Sequence, residues 1–232
     1  MNGNIEELYD KQVYCPVCNE KFSTKKLRRS AMRVQSTDAD FCVHYNSENP
    51  YFYALWVCRK CGYVEFENRF ESISKAGADK IKKEVTPKWT PRDYGGKRDI
   101  AQAMQIYKLA LYQAELLQKE YSNKAVLCLM IAWLYRYEND TASETRFMKS
   151  ALELYAKAYS AEDFPIGGMD SAKLSYLIGE LNRRCGNFRE SIKWFDKAIN
   201  DPNVKKSIHI KKKAREQWHK AAEYYKAAKP AE

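Results

Sequence analysis

Cys58-Arg59-Lys60-Cys61-Gly62-Tyr63 decides how the first part of this chain folds, because the same spacing occurs once before it, in Cys15-Pro16-Val17-Cys18. A Cys-x-x-Cys turn places two thiolates on one metal ion, and two such turns complete a tetrahedral Cys₄ set. Gly62 follows the second pair, where a tight turn needs a positive φ. The aromatic flanks, Tyr51-Phe52-Tyr53-Ala54-Leu55-Trp56-Val57 above all, suit strands leading in and out. The pattern is a zinc-ribbon signature with Cys15, Cys18, Cys58 and Cys61 as ligands of a Zn²⁺ ion. Four thiolates leave no open coordination position, so the ion is expected to be structural. Free-thiol pairs and a redox Cys-x-x-Cys are the weaker readings, since the redox motif belongs to a βαβ context that is missing here. The 39 residues between Cys18 and Cys58 exceed the usual spacing and must hold a folded insertion.

That insertion, residues 19–57, carries Lys25, Lys26, Arg28, Arg29 and Arg33, then Asp38-Ala39-Asp40-Phe41, then Asn49-Pro50. Arginines beside two carboxylates read first as an ion-pair network fixing the insertion. A phosphate or nucleic-acid patch comes second, and a second metal or catalytic site on Asp38 and Asp40 third. The expected role of Asp38 and Asp40 is to accept from Arg28, Arg29 or Arg33, or from backbone N–H groups. Cys42 and His44 read as a buried thiol and a surface or core histidine, with ligation the lesser alternative. Cys128 and Cys185 fall on helix faces and read as core.

Beyond residue 85 the texture changes. Thr86-Pro87-Lys88-Trp89-Thr90-Pro91-Arg92-Asp93-Tyr94-Gly95-Gly96 reads as a linker, with Trp89 and Tyr94 anchoring it to a surface. Residues 97–232 then show helical periods over about 99–121, 123–136, 141–160, 170–185, 187–200 and 204–226. Asp99 is placed to cap the first, and Asn187 with Glu190 has capping-box spacing for the fifth. Within Ala172–Pro202, Gly179 and Ala198 are small enough for two antiparallel helices to approach closely, with Ile178, Phe195 and Ile199 filling the seam. Leu177, Ile178, Gly179, Gly186, Phe195, Ala198 and Pro202 follow the tetratricopeptide pattern, with departures at Asn182 and Ser191. Ala103, Tyr107 and Ala110 look like a second repeat helix without its partner, and the last helix reads as a terminal cap. The architecture expected is therefore α+β by segments. A Cys₄ zinc-ribbon-like β domain (1–85) precedes a linker (86–96) and an all-α tetratricopeptide-like repeat domain (97–232).

The 232 residues are 45% hydrophobic and 30% charged, enough to bury a core. No apolar run approaches the roughly 20 residues of a membrane span. The polar start, Met1–Asp10, does not read as a signal peptide, and seven cysteines, an odd number, suit metal or free thiols in a reducing compartment. A cytoplasmic protein is expected. The net charge of +10 is concentrated at the end, where residues 197–232 hold ten basic against four acidic side chains. Lys205, Lys206, Lys211, Lys212, Lys213, Arg215 and Lys220 form this run. Ile208, Ala214, Trp218, Ala221, Ala222 and Tyr225 make an apolar stripe behind it, with Trp218 expected on the fifth helix. The run reads as a solvated face.

No glycine-rich phosphate loop, nucleophile elbow or His-Glu-x-x-His helix is present, and only three histidines occur, so no enzyme is expected. Stacked helix pairs make a surface that binds protein or peptide segments. A zinc-binding scaffold or adaptor is thus the functional expectation. The alternative is a nucleic-acid-associated protein using the ribbon, the arginines and the basic last helix.

Taken together, CPVC with its following basic residues, Asp38–Phe41, Asn49-Pro50, Val57–Tyr63 and Tyr176–Gly186 resemble the bacterial family called domain of unknown function 2225. Arg59 and Asn182 stand where that family's pattern has Pro and Tyr. The resemblance implies the metal and the two-part fold, and no activity.

Overall fold

The computed structural model describes residues 6–228, without the side chains of Lys205 and Lys206. It is α+β by segments, with small antiparallel strand pairs first and packed helices after them. By contact the chain forms two compact units. The first comprises 1–38 and 43–118, and the second 39–42 and 119–232. The division thus falls after Gln118 rather than within 86–96, and four residues of the insertion are counted with the helices.

In the first unit, β1 (Leu8–Tyr14) and β2 (Lys21–Leu27) form a hairpin with Leu8 opposite Leu27 and Tyr14 opposite Lys21. Strands β3 (Val34–Thr37) and β4 (Val43–Tyr45) form a second, irregular pair. Strands β5 (Leu55–Val57) and β6 (Val64–Phe66) form a third, and all of β5 is buried. The expected strand over 51–57 is shorter than its composition suggests. Pro50 and the Asn49 side chain, which accepts from Tyr51 N–H, start a 3₁₀ turn over Pro50–Tyr53 instead. A helix that the alternating texture did not announce, α1 (Lys75–Glu84), begins at Ser74, whose hydroxyl accepts from Gly77 N–H.

Helix α2 (Ile100–Leu116) starts in a full capping box between Asp99 and Gln102. It packs on β5 and β6, so Ala103, Tyr107 and Ala110 belong to the first unit and not to a repeat pair. Tyr107 donates to Tyr51 C=O at 3.0 Å and sets its ring against Phe66. Arg98, just before the helix, is 3% exposed. It donates to the carbonyls of Phe52, Leu55 and Tyr94 and to the Thr24 hydroxyl. Burial among neutral acceptors pushes its guanidinium down to about 10.

The second unit holds α3 (Tyr121–Tyr137), α4 (Thr141–Ala161), α5 (Ser171–Arg184), α6 (Phe188–Asn200) and α7 (Ile208–Ala227). Helix α3 packs on α4 and α5 on α6, while α7 closes against α6. Consecutive helices thus pair in the order that the sequence reading expects. Gly179 lies so close to the Phe195 ring that a Cβ there would sit 2.8 Å from it. Ser191, at a position where the repeat pattern has Ala, donates to Gly179 C=O at 2.8 Å across the same seam. Asn182 turns back to Ile178 C=O. Gly186, at φ +80°, ends α5. Asn187 precedes α6 without a side-chain cap, and Glu190 pairs with Lys193 instead.

Helix α7 begins later than expected, after a 3₁₀ turn over Pro202–Lys206. Trp218 joins Phe195, Ala198 and Ile199 in one cluster, as its place in the stripe requires. Ile208 does not, being 76% exposed, because it opens the helix and Ile210 takes the inward position. Lys212, Arg215 and Lys220 face solvent; the Lys205 and Lys206 side chains lie outside the described set. Among the described residues, no helix is long and apolar enough to cross a membrane.

Candidate metal centre and the buried carboxylate network

The two Cys-x-x-Cys turns are built alike. In the first, at the tip of the β1–β2 hairpin, Cys15 N–H donates to Glu20 C=O and Cys15 C=O accepts from Asn19 N–H, both at 2.9 Å. In the second, between β5 and β6, Cys58 bonds in the same way to Tyr63 C=O and Gly62 N–H, again at 2.9 Å. The residue after each second cysteine is left-handed, Asn19 at φ 61° and Gly62 at φ 75°. Sequence reasoning anticipated Gly62; Asn19 is its counterpart, and Asn is the side chain that best tolerates this region. Turning the chain this way aims both thiols of a pair to one side.

The four Sγ atoms lie within 4.8 Å of one another. Cys15 and Cys61 are 3.6 Å apart, Cys18 and Cys58 3.5 Å. A tetrahedral ion with metal–sulfur bonds of about 2.3 Å holds its sulfurs roughly 3.8 Å apart, so the donor set fits zinc in number, kind and spacing. Cys58 is pushed down to about 2 by hydrogen bonding from Cys15 and Cys61. Cys15, sharing its proton with Cys58, is pushed up to about 12.

The surroundings clamp the turns. Phe22, Trp56, Tyr63, Phe70 and Ile81 pack round the cysteines in one buried cluster. Gln113 of α2 reaches the second turn, donating to Gly62 C=O at 2.7 Å and accepting from Val64 N–H at 3.1 Å. Trp89 covers Gly62 and donates from its indole to Arg59 C=O at 2.8 Å. Tyr94 is buried and bonds Gln105. The 86–96 stretch is therefore anchored by both aromatics. Glu20 pairs with Arg59 and Lys60, joining the rims of the two turns.

Asp38 and Asp40 have parted company. Asp38 meets His44 Nε2 at 3.0 Å in the first unit. Asp40 is wholly buried in the second. Arg136 of α3 grips it with both terminal nitrogens, at 3.0 and 2.6 Å. Trp133 donates from its indole at 3.1 Å, Cys42 N–H approaches at 3.4 Å, and Arg184 of α5 stands at 3.6 Å. Arg136 also bonds Glu144, while Arg183 and Arg184 both bond the buried Glu180. Three guanidiniums thus meet three carboxylates. Burial alone would raise the Asp40 carboxyl, but the Arg136 and Arg184 charges outweigh it and hold the group below its usual value.

Asp40 accepts from Arg136, Trp133 and Cys42 N–H, and Asp38 faces His44, so neither carboxylate pairs with the neighbouring arginines. Arg28 bonds Glu6 C=O and covers the Tyr9 ring, and Arg33 folds back on Ser30 and Met32 carbonyls. Arg29 lines a pocket with Lys26, Trp56 and Glu67, which includes neither Asp38 nor Asp40. Cys42 is fully buried and near Tyr137 OH. Cys128 is buried in α3, and Cys185 is partly buried at the end of α5. Glu180-Leu181-Asn182-Arg183-Arg184 places charges on a largely buried helix, which signals that they require compensation without naming Asp40 or Arg136 as members of the network.

No curated protein and no solved structure matches the chain. Residues 8–221 match the family described as uncharacterized protein conserved in bacteria, DUF2225. With paired cysteine turns in its first part and packed helices following in the chain, this protein belongs to that family.

Proposed function

We propose that the protein is a cytoplasmic zinc-binding scaffold, without reaction chemistry of its own, whose helical repeats bind a protein or peptide partner. Cys15, Cys18, Cys58 and Cys61 would hold one Zn²⁺, and the ion's contribution is to fix the two turns. The observation that carries the partner-binding reading is the turn Ala39–Cys42. Its contacts come from α3, α5 and α7, the alternate helices of the stack. Arg136 and Trp133 take the Asp40 carboxylate, Tyr176 OH donates to Ala39 C=O at 2.8 Å, and Phe41 lies on the Tyr176 ring. A surface with that complement of charge, ring and backbone-reading groups has what peptide recognition needs.

Affinity capture from native cytosol, with and without nuclease, tests the proposal. The expected result is a defined protein retained after nuclease and lost in a Lys173→Glu, Lys213→Glu variant, since both lysines rim this surface. Capture abolished by nuclease overturns it in favour of nucleic acid. Capture indifferent to the two lysines removes the repeats from the account.

A further inference from the structure

The residues gripping the turn 39–42 form a site with a readable preference. Its carboxylate position is served by a two-nitrogen fork from Arg136, the Trp133 indole and the Arg184 charge. The next position takes an aromatic ring, with Phe41 tilted against Tyr176 at 5.3 Å between ring centres and covered by the ammonium groups of Lys173 and Lys213 at 5.3 and 5.6 Å. Tyr176 OH reads the carbonyl before the acid. We propose that the α3–α5–α7 surface is a recognition site for an acidic–aromatic Asp-Phe turn, and that the chain's own Asp40-Phe41 is its displaceable occupant. The proposal rests on the partner-binding reading above and adds what the partner presents.

Two features support exchange of the occupant. Phe41 has φ +70°, a left-handed conformation that a bulky residue adopts only when its surroundings impose it. The resident turn is therefore held at the expense of backbone strain, which lowers the cost of releasing it. The second feature is charge. Arg136 and Arg184 are largely buried, so the surface disfavours an empty state and favours replacement of one carboxylate by another. A partner offering Asn-Phe, or Asp without the ring, meets only half of the site.

The test uses the full chain and a fluorescein-labelled, backbone-cyclised peptide of residues 34–45, followed by anisotropy. Against an Asp40→Asn, Phe41→Ser variant, the peptide is expected to bind at least about tenfold tighter than against the unaltered chain. A peptide carrying Asp40→Asn is expected to lose that gain. Equal binding of both peptides, or no gain in a variant with native circular dichroism, overturns the proposal. Should the variant be unfolded, the unaltered chain decides. Excess unlabelled peptide must then speed hydrogen exchange of the Cys42 amide, which faces Asp40 Oδ1, and the Asn peptide must not; no acceleration overturns the proposal. Failure here with nuclease-resistant, lysine-dependent capture above would sink the Asp-Phe assignment alone. Success here with no captured protein would sink the partner reading alone.

Discussion

Asp40 is the residue on which local reading and folded structure diverge most. Its nearest cations in sequence are Arg28, Arg29 and Arg33, and all three stay exposed. Its actual partner, Arg136, is 96 residues away. Periodicity reports which face of an element is buried and says nothing of which distant element supplies a counter-charge. The pairing of Asp40 with arginine was legible from the basic cluster that precedes it; which arginines was not. Because Arg136 lowers the Asp40 carboxyl, the stabilising contribution is full above the ordinary value of 3.8 and is lost as pH falls through the lowered folded value. Asp40→Asn is expected to cost about 3 kcal/mol at pH 7, since it leaves buried guanidiniums under-compensated. The deficit should shrink below pH 3.8, and urea denaturation at pH 7 and pH 3 measures both. A second residue-scale prediction concerns the paired turns. Gly62→Ala adds a Cβ 2.6 Å from the Trp89 ring at a left-handed position, so a loss above about 1 kcal/mol is expected. Asn19→Gly, at φ 61° in the equivalent place, should be nearly neutral, and thermal unfolding of the two variants separates them.

At the scale of elements, the helices of the second half were the most legible part of the fold. Their apolar periods run for three to six turns, and their ends carry Asp99, Asp140, Asp170 and Gly186, whose capping and turn chemistry is local. The strands were less so. Three-residue strands such as β4, β5 and β6 are too short for alternation to register, and Pro50 diverts half of the aromatic run into a turn. Helix α2 has the small-residue spacing of a repeat helix, yet its Gln113 and Tyr107 serve the unit of the cysteine turns. Spacing of alanines marks close packing without naming the neighbour. The seam between α5 and α6 gives a prediction of its own. Gly179→Ala pushes a methyl into Phe195 and is expected to cost about 1–3 kcal/mol, partly recovered by a second change, Phe195→Leu. Ser191→Ala restores the repeat pattern but removes the bond to Gly179 C=O, with an expected net loss of about 1 kcal/mol. Chemical denaturation of the single and double variants measures each term.

For the molecule as a whole, each unit has its own organising chemistry: four thiols in the first, and in the second a network of three guanidiniums and three carboxylates around one turn. The thiol set was readable because Cys-x-x-Cys is a local motif repeated in one chain. The network was not, because it assembles charges from residues 40, 136, 144, 180, 183 and 184. Structural zinc contributes on the order of 10 kcal/mol to small metal domains. If the proposed ion is bound, Cys58→Ser is expected to release it and expose the Asn19 and Gly62 amides to rapid hydrogen exchange, since both close the cysteine turns. The zinc content of the unaltered chain, purified without chelators and measured by elemental analysis, tests the account most directly. One zinc per chain is expected, falling to none in Cys58→Ser. A freshly purified, folded chain with no zinc and four freely titrating thiols would contradict it.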